Sequence, residues 1–141
     1  MAKDLRNLVR LHEWAVDEKR RKLGELLRLV RNLEDQVWRL EEEVVREQAT
    51  AGAMPEEAGF MYGNYANAVI ERRQRLKDSI ARMETEISVA QEELREAYRD
   101  LKKYEVAQET RERNEVEERE RRDQQVLDEV GLQGQRRRIA P

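Results

Sequence analysis

The sequence predicts an all-α protein: two long helices forming an antiparallel coiled-coil hairpin with a C-terminal helical overhang. Three observations carry this reading. Apolar residues recur in alternating steps of three and four over Leu23, Leu26, Val30, Leu33, Val37, Leu40 and Val44. The same beat returns over Leu76, Ile80, Met83, Ile87, Ala90, Leu94, Ala97, Leu101 and Tyr104. Between the two runs lies a stretch holding Gly52, Pro55, Gly59 and Gly63. A heptad repeat sustains a left-handed seam between helices. A short break rich in helix breakers lets the second run fold back on the first.

Composition agrees. Of 141 residues, 42% are charged and only 38% hydrophobic, and the mean hydropathy is -1.02. That is too polar to wrap a globular core, but it suits long paired helices. Without the repeat the same composition would read as disorder. The 28 basic and 31 acidic residues leave a net charge of -3, with the two signs interspersed as on solvated helix faces. A dedicated nucleic-acid binder needs a basic surplus on one face, so nucleic acid is not an expected partner. With no cysteine, disulfides, thiolate metal sites and cysteine nucleophiles are excluded. The first ten residues lack an apolar run, and no stretch is long enough to span a bilayer, so the expected location is the cytoplasm.

One coiled-coil domain is expected over 1–141, with helix 1 over about 4–49. Asp4 is placed to cap its first free amides. Val9, Val16, Leu23, Val30, Val37 and Val44 occupy the a positions, and Leu5, His12, Lys19, Leu26, Leu33, Leu40 and Glu47 the d positions. Valine at a with leucine at d suits two-stranded packing. A hinge is expected over 50–64, where Pro55 suits the first position of a helical turn and Phe60, Met61, Tyr62 and Tyr65 cluster. Helix 2 is expected over about 65–130, ended by Gly131 and Gly134, with a frayed tail over 131–141.

In the antiparallel register, Val37 faces Leu76, Leu33 faces Ile80 and Leu26 faces Ile87. A slip of one heptad either way satisfies the pattern as well. Leu5 then faces Gln108, where helix 1 runs out. From 109 to 125 the only aliphatic residue is Val116. This implies an unpaired overhang of roughly 20 residues, about 30 Å long, which is marginal in water and expected to fray unless a partner holds it.

Nothing in the pattern assembles a catalytic site, a cofactor site or a metal site. The sole histidine, His12, falls in the seam, and consecutive glutamates such as Glu41, Glu42 and Glu43 read as solvated faces. The seam is interrupted by His12, Lys19, Glu47, Arg73, Gln108 and Arg111. Polar seam residues set register at some cost in stability; the other reading is a seam weakened so that its free end can splay on a partner. Trp14 and Trp38 fall at outward positions, where tryptophan serves either as an interface anchor or as cover for aliphatic neighbours.

The stretch Leu8-Val9-Arg10-Leu11-His12-Glu13-Trp14-Ala15-Val16-Asp17-Glu18-Lys19-Arg20-Arg21 resembles the flagellar export protein FliJ family. Tyr62-Gly63-Asn64-Tyr65, Lys102-Lys103-Tyr104-Glu105 and Asp128-Glu129 look similar too. The resemblance spans essentially the whole chain. It implies a non-enzymatic antiparallel coiled coil similar to the rotor stalk of rotary ATPases. Such a stalk sits in the pore of the hexameric flagellar export ATPase, contacts the cytoplasmic domain of the export gate and helps deliver export chaperones. It would be monomeric alone and peripheral to the inner membrane through its partners. The gate-contacting surface implied at the hinge end comprises Gln36, Trp38, Leu40, Val44, Tyr62, Tyr65 and Val69. Where the family can carry tyrosines on helix 1 near the hinge, this chain has Glu43 and Glu47. At the end carrying the termini, Trp14, Arg111, Arg113, Arg119, Arg121 and Arg122 are the residues expected to meet the ATPase ring. The rival readings are the equivalent stalk of a virulence-type secretion system and a generic homodimeric coiled-coil scaffold. Stable self-association would mark the scaffold.

Overall fold

In a computed structural model, which describes residues 2–53 and 55–139 and the side chains of 4–52 and 62–139, the protein is two α-helices. Helix α1 is Ala2–Ala53 and α2 is Pro55–Ile139. The described residues contain no strand. The chain divides into two compact units, Met1–Trp14 with Tyr98–Pro141, and Ala15–Ala97.

In the unit Ala15–Ala97 the two helices lie antiparallel. Lys19 reaches Glu93 at 2.9 Å and Glu41 reaches Arg73 at 2.6 Å, so partners fall along α2 as they rise along α1. The core holds Leu40, Val69 and Leu76, with Leu33, Val37, Val44 and Tyr65 packed against it. Val37 packs against the cluster that holds Leu76, and the pairs Glu41–Arg73 and Lys19–Glu93 agree with the register in which Val37 faces Leu76. Val16, Leu26 and Ala90 are buried farther along the same seam. Every a and d residue of α1 from Leu5 onward is buried or half-buried except Glu47, which is exposed. Truncating Leu40, 3% exposed, to alanine would cost about 2–5 kcal/mol, the range for an emptied leucine site.

Two polar seam residues are matched across the helices. Arg73 donates from Nε and Nη2 to both carboxylate oxygens of Glu41, at 2.6 and 2.9 Å. That fork geometry adds direction as well as attraction. Lys19 donates to Glu93 at 2.9 Å, with Lys22 at 3.9 Å. The hydrogen bond from Lys19, then the charges of Lys19 and Lys22, hold the Glu93 carboxyl below its usual range. A depressed carboxyl stabilises the fold above its unfolded pKa, and that contribution is lost as pH falls through the folded value.

In the unit formed by the N-terminal part of α1 and the C-terminal part of α2, Val9 is buried. The His12 ring stacks on Tyr104, with centroids 4.5 Å apart and planes 17° from parallel. Arg6 lies 4.0 Å from Glu112. From residue 112 to 139 every residue of α2 is exposed. Helix α1 thus covers slightly more of α2 than the repeat implied, since Arg6 reaches Glu112, and the uncovered stretch begins beyond Glu112 rather than at 109.

The helix bounds differ from the sequence expectation in two places. No loop spans 50–64: α1 continues to Ala53 and α2 starts at Pro55. Gly52 and Gly63 sit inside helices, and no glycine takes a positive φ. A glycine in a helix costs only about 1 kcal/mol against alanine, and the two helices pack together as far as Val44 and Tyr65. Proline at the first helical position gives up an amide that no helix would bond. Residue 54 and the side chains of Phe60 and Met61 lie outside the described residues. The expected frayed tail is helical to Ile139.

The register generates a direct test. Val30→Cys and Met83→Cys in one chain should form a disulfide within the chain on oxidation, seen as faster migration on a non-reducing gel. Efficient linkage of Val30→Cys to Leu76→Cys or Ala90→Cys instead would indicate a seam slipped by one heptad.

Candidate functional site

A seam one layer deep leaves function to side chains that point into water. Among the described residues no three histidine, aspartate or glutamate side chains converge to hold a metal ion, and no helix is long and apolar enough to cross a membrane. Two surfaces stand out, one in each unit.

The first surrounds the helix junction. Of the residues expected there, Leu40 and Val69 are core, at 3% and 6% exposure. Val44 and Tyr65 pack against them, and Gln36 and Tyr62 are half-buried. Trp38 alone projects outward, 63% exposed. The heptad separates these roles, since Leu40, Val44 and Val69 face the partner helix while Trp38 stands on the outer face. A shallow groove runs along α1 between Trp38, Glu41, Glu42, Val45 and Arg46. Val45, seven residues beyond Trp38, is 65% exposed. Sequence analysis passed over Val45, although the one-heptad step from Trp38 placed it on the same face.

Tyr65 is the unusual residue of this end. Its ring lies 6.1 Å from that of Tyr62, tilted by 43°. Its hydroxyl oxygen is sealed from solvent and has no hydrogen-bond partner among the described residues. Burial, then the negative charges of Glu43 and Glu47, push the phenol pKa above its ordinary 10.0, with Arg46 opposing. A buried donor left unpaired is a cost that the packing of the ring must offset.

The second surface is the uncovered part of α2. Arg113, Arg119, Arg121 and Arg122 are exposed, while Arg111 is half-buried. Arg111, Asn114, Glu115, Glu118, Arg119 and Arg122 line a shallow, mixed-charge depression. The arginines do not form one basic face: Arg122 is paired with Glu118. Trp14, in the same unit, is 62% exposed, with Leu11 one turn before it at 57%. Farther along, Val126, Leu127, Val130 and Leu132 are 58–64% exposed. Val126, Leu127 and Val130 occupy neighbouring positions of one helix face together with Val116. The charged run before them obscured this stripe in the sequence.

No curated protein and no solved structure matches the chain. The family described as "Flagellar FliJ protein" matches over residues 1–139, so the chain belongs to the FliJ family of flagellar export proteins.

The orphaned phenol yields a prediction. Tyr65→Phe should leave the melting temperature unchanged or raise it, because the ring packing stays and an unpaired donor goes. In the unaltered chain the raised pKa favours the fold below pH 10.0, and this is lost as pH climbs through the folded value. Tyr65→Phe should therefore show the smaller loss of stability in that alkaline range, read by circular dichroism melts.

Proposed function

We propose that this protein is the non-enzymatic stalk and adaptor of a flagellar type III protein export apparatus. The end carrying the termini engages the hexameric export ATPase and the helix-junction end engages the cytoplasmic domain of the export gate. Family membership supports the setting. The observation that carries the mechanical part is the stretch of α2 from 112 to 139, helical and exposed throughout. A long helix with no covering partner in its own chain suits insertion into a ring, where surrounding subunits supply the missing contacts. Its mixed charge suits contacts that are individually weak. Exposed ion pairs contribute about 0.2–1 kcal/mol each, so several must act together and binding must weaken with salt.

In this reading Trp14 is an apolar anchor for the ring, and Arg113, Arg119, Arg121 and Arg122 meet its acidic groups. Arg111 borders the covered part of the helix, where it steadies the entry to the free segment. Trp38, with Tyr62 and Tyr65 behind it, belongs to the gate-facing end, and Leu40, Val44 and Val69 hold that end in shape. The protein acts at the cytoplasmic face of the inner membrane through these partners, and export chaperones are further cargo-side partners.

Truncation separates this reading from a plain scaffold. A chain ending at Glu115 keeps the Arg6–Glu112 contact and every buried residue. It should melt within a few degrees of the full chain, because almost no apolar burial is lost. It should also fail to stimulate ATP hydrolysis by the export ATPase of the same cell, measured as phosphate release. Full stimulation by the truncated chain would remove the free segment from the mechanism.

A further inference from the structure

The seam has two flanks. In an antiparallel pair the g positions of both helices meet on one flank and the e positions on the other. Lys22 and Glu93 are both g residues, and they approach to 3.9 Å. Within the unit Ala15–Ala97 this g flank, with the c positions beside it, carries its charge in two blocks. The half nearer the helix junction holds Arg39, Arg46, Arg72, Arg75 and Arg82 against Glu43 alone. The other half holds Glu18, Glu25, Glu86, Glu93 and Glu96 against Lys22 alone. The opposite flank has no such division: Arg31, Glu34, Glu41, Lys77 and Glu84 share one half, and Asp17, Arg20 and Arg95 the other.

All five arginines are exposed, and none makes an ion pair among the described residues; Arg82 donates only to the backbone carbonyl of Asp78, at 3.4 Å. Four of them have a carboxylate one turn earlier, but Asp35, Glu42, Glu71 and Asp78 fall at f, on the outer ridges of the hairpin. In the acidic half Glu93 is held by Lys19 and Lys22 and Glu18 by Arg21. Glu25, Glu86 and Glu96 are exposed and make no ion pair among the described residues.

The order of these charges argues the occupant. The c positions of α1 run Glu18, Glu25, Asn32, Arg39, Arg46, and the g positions of α2 run Arg72, Ser79, Glu86, Glu93. Each series changes sign at an uncharged residue. Asn32 and Ser79 stand at nearly the same height, in the register that the Glu41–Arg73 and Lys19–Glu93 pairs share. A surface whose charge inverts about its midpoint complements a copy of itself turned end for end, and repels a copy laid in parallel. Leu29 and Val89, 51% and 54% exposed, are the large hydrophobics exposed on this flank. Leu29 lies one turn from Asn32, so the midpoint has an apolar neighbour.

We propose that this flank docks a second copy of the chain, antiparallel and related by a two-fold axis near Asn32 and Ser79. Arg39 and Arg46 of each copy face Glu25 and Glu18 of the other, and Arg72 faces Glu86. The aliphatic stems of the incoming arginines cover Val89. Exposed ion pairs are individually weak and screened by salt, so the dimer is reversible and salt-sensitive, unlike the stable self-association of a scaffold. The contact involves no residue of 112–139 and is independent of the ring and gate readings.

The test is sedimentation equilibrium of the full chain at low and high salt, with two charge-reversed variants. One carries Arg39→Glu, Arg46→Glu and Arg72→Glu; the other carries Glu18→Arg, Glu25→Arg and Glu86→Arg. The unaltered chain should dimerise at low salt, with a dissociation constant about tenfold higher or more at high salt. Each variant alone should be monomeric, and an equimolar mixture of the two should dimerise again, which also shows that both are folded. The chain has no cysteine, so Asn32→Cys should link two copies on oxidation, while Arg31→Cys, on the opposite flank, should not. An unaltered chain that is monomeric at every salt concentration overturns the inference and leaves this flank to a different molecule. A dimer indifferent to salt, or Arg31→Cys linking as well as Asn32→Cys, also overturns it. So does a mixture that stays monomeric although both variants keep the helix content of the unaltered chain.

Discussion

The apolar seam between two helices is the constraint on which everything else depends. Such a seam is only one layer deep, so each side chain either lies in it or faces water. Its buried residues are few: Val9, Val16, Leu26, Leu40, Val69, Leu76 and Ala90. Among the described residues no third layer covers the seam. Two polar residues that fall in the seam find partners across it, Arg73 with Glu41 and Lys19 with Glu93. These pairs set the register more than they add stability, because both are partly solvated.

Much of this was legible in the sequence because the heptad is a geometric rule. The rows of valine and leucine gave the antiparallel pairing but allowed a slip of one heptad; the Glu41–Arg73 and Lys19–Glu93 pairs agree with the register in which Val37 faces Leu76. The helix junction was less legible. Gly52 and Gly63 suggested a loop, yet a glycine weakens a helix by only about 1 kcal/mol, and both residues lie within helices. Gly131 and Gly134 suggested an end to α2 for the same reason. The orphaned hydroxyl of Tyr65 was beyond sequence reasoning, because it depends on how the ring tilts against its neighbours. Val45 could have been found by stepping one heptad from Trp38.

Among the expected contact residues, the structure separates those that shape a surface from those that form one. Leu40 and Val69 are buried, so substitutions there act through packing before they touch any partner. Trp38, Trp14 and the arginines beyond Glu112 are open to water and can act on a partner directly. The distinction matters for reading mutants, because loss of function at Leu40 and at Trp38 would have different physical causes. The charge pattern adds a second division. The junction stretch is strongly acidic, whereas the last turn of α2 carries Arg136, Arg137 and Arg138, where cations also complement the negative end of the helix dipole.

The central claim is that α2 beyond Glu112 finds its missing contacts in another molecule. Hydrogen–deuterium exchange of the full chain, alone and with the assembled export ATPase ring, tests it most directly. Alone, amides over 116–139 should exchange rapidly while those over 16–44 are protected by the seam. With the ring present, 116–139 should gain protection and 16–44 should change little. Equal exchange over 116–139 with and without the ring, or strong protection there in the free chain, would contradict the account.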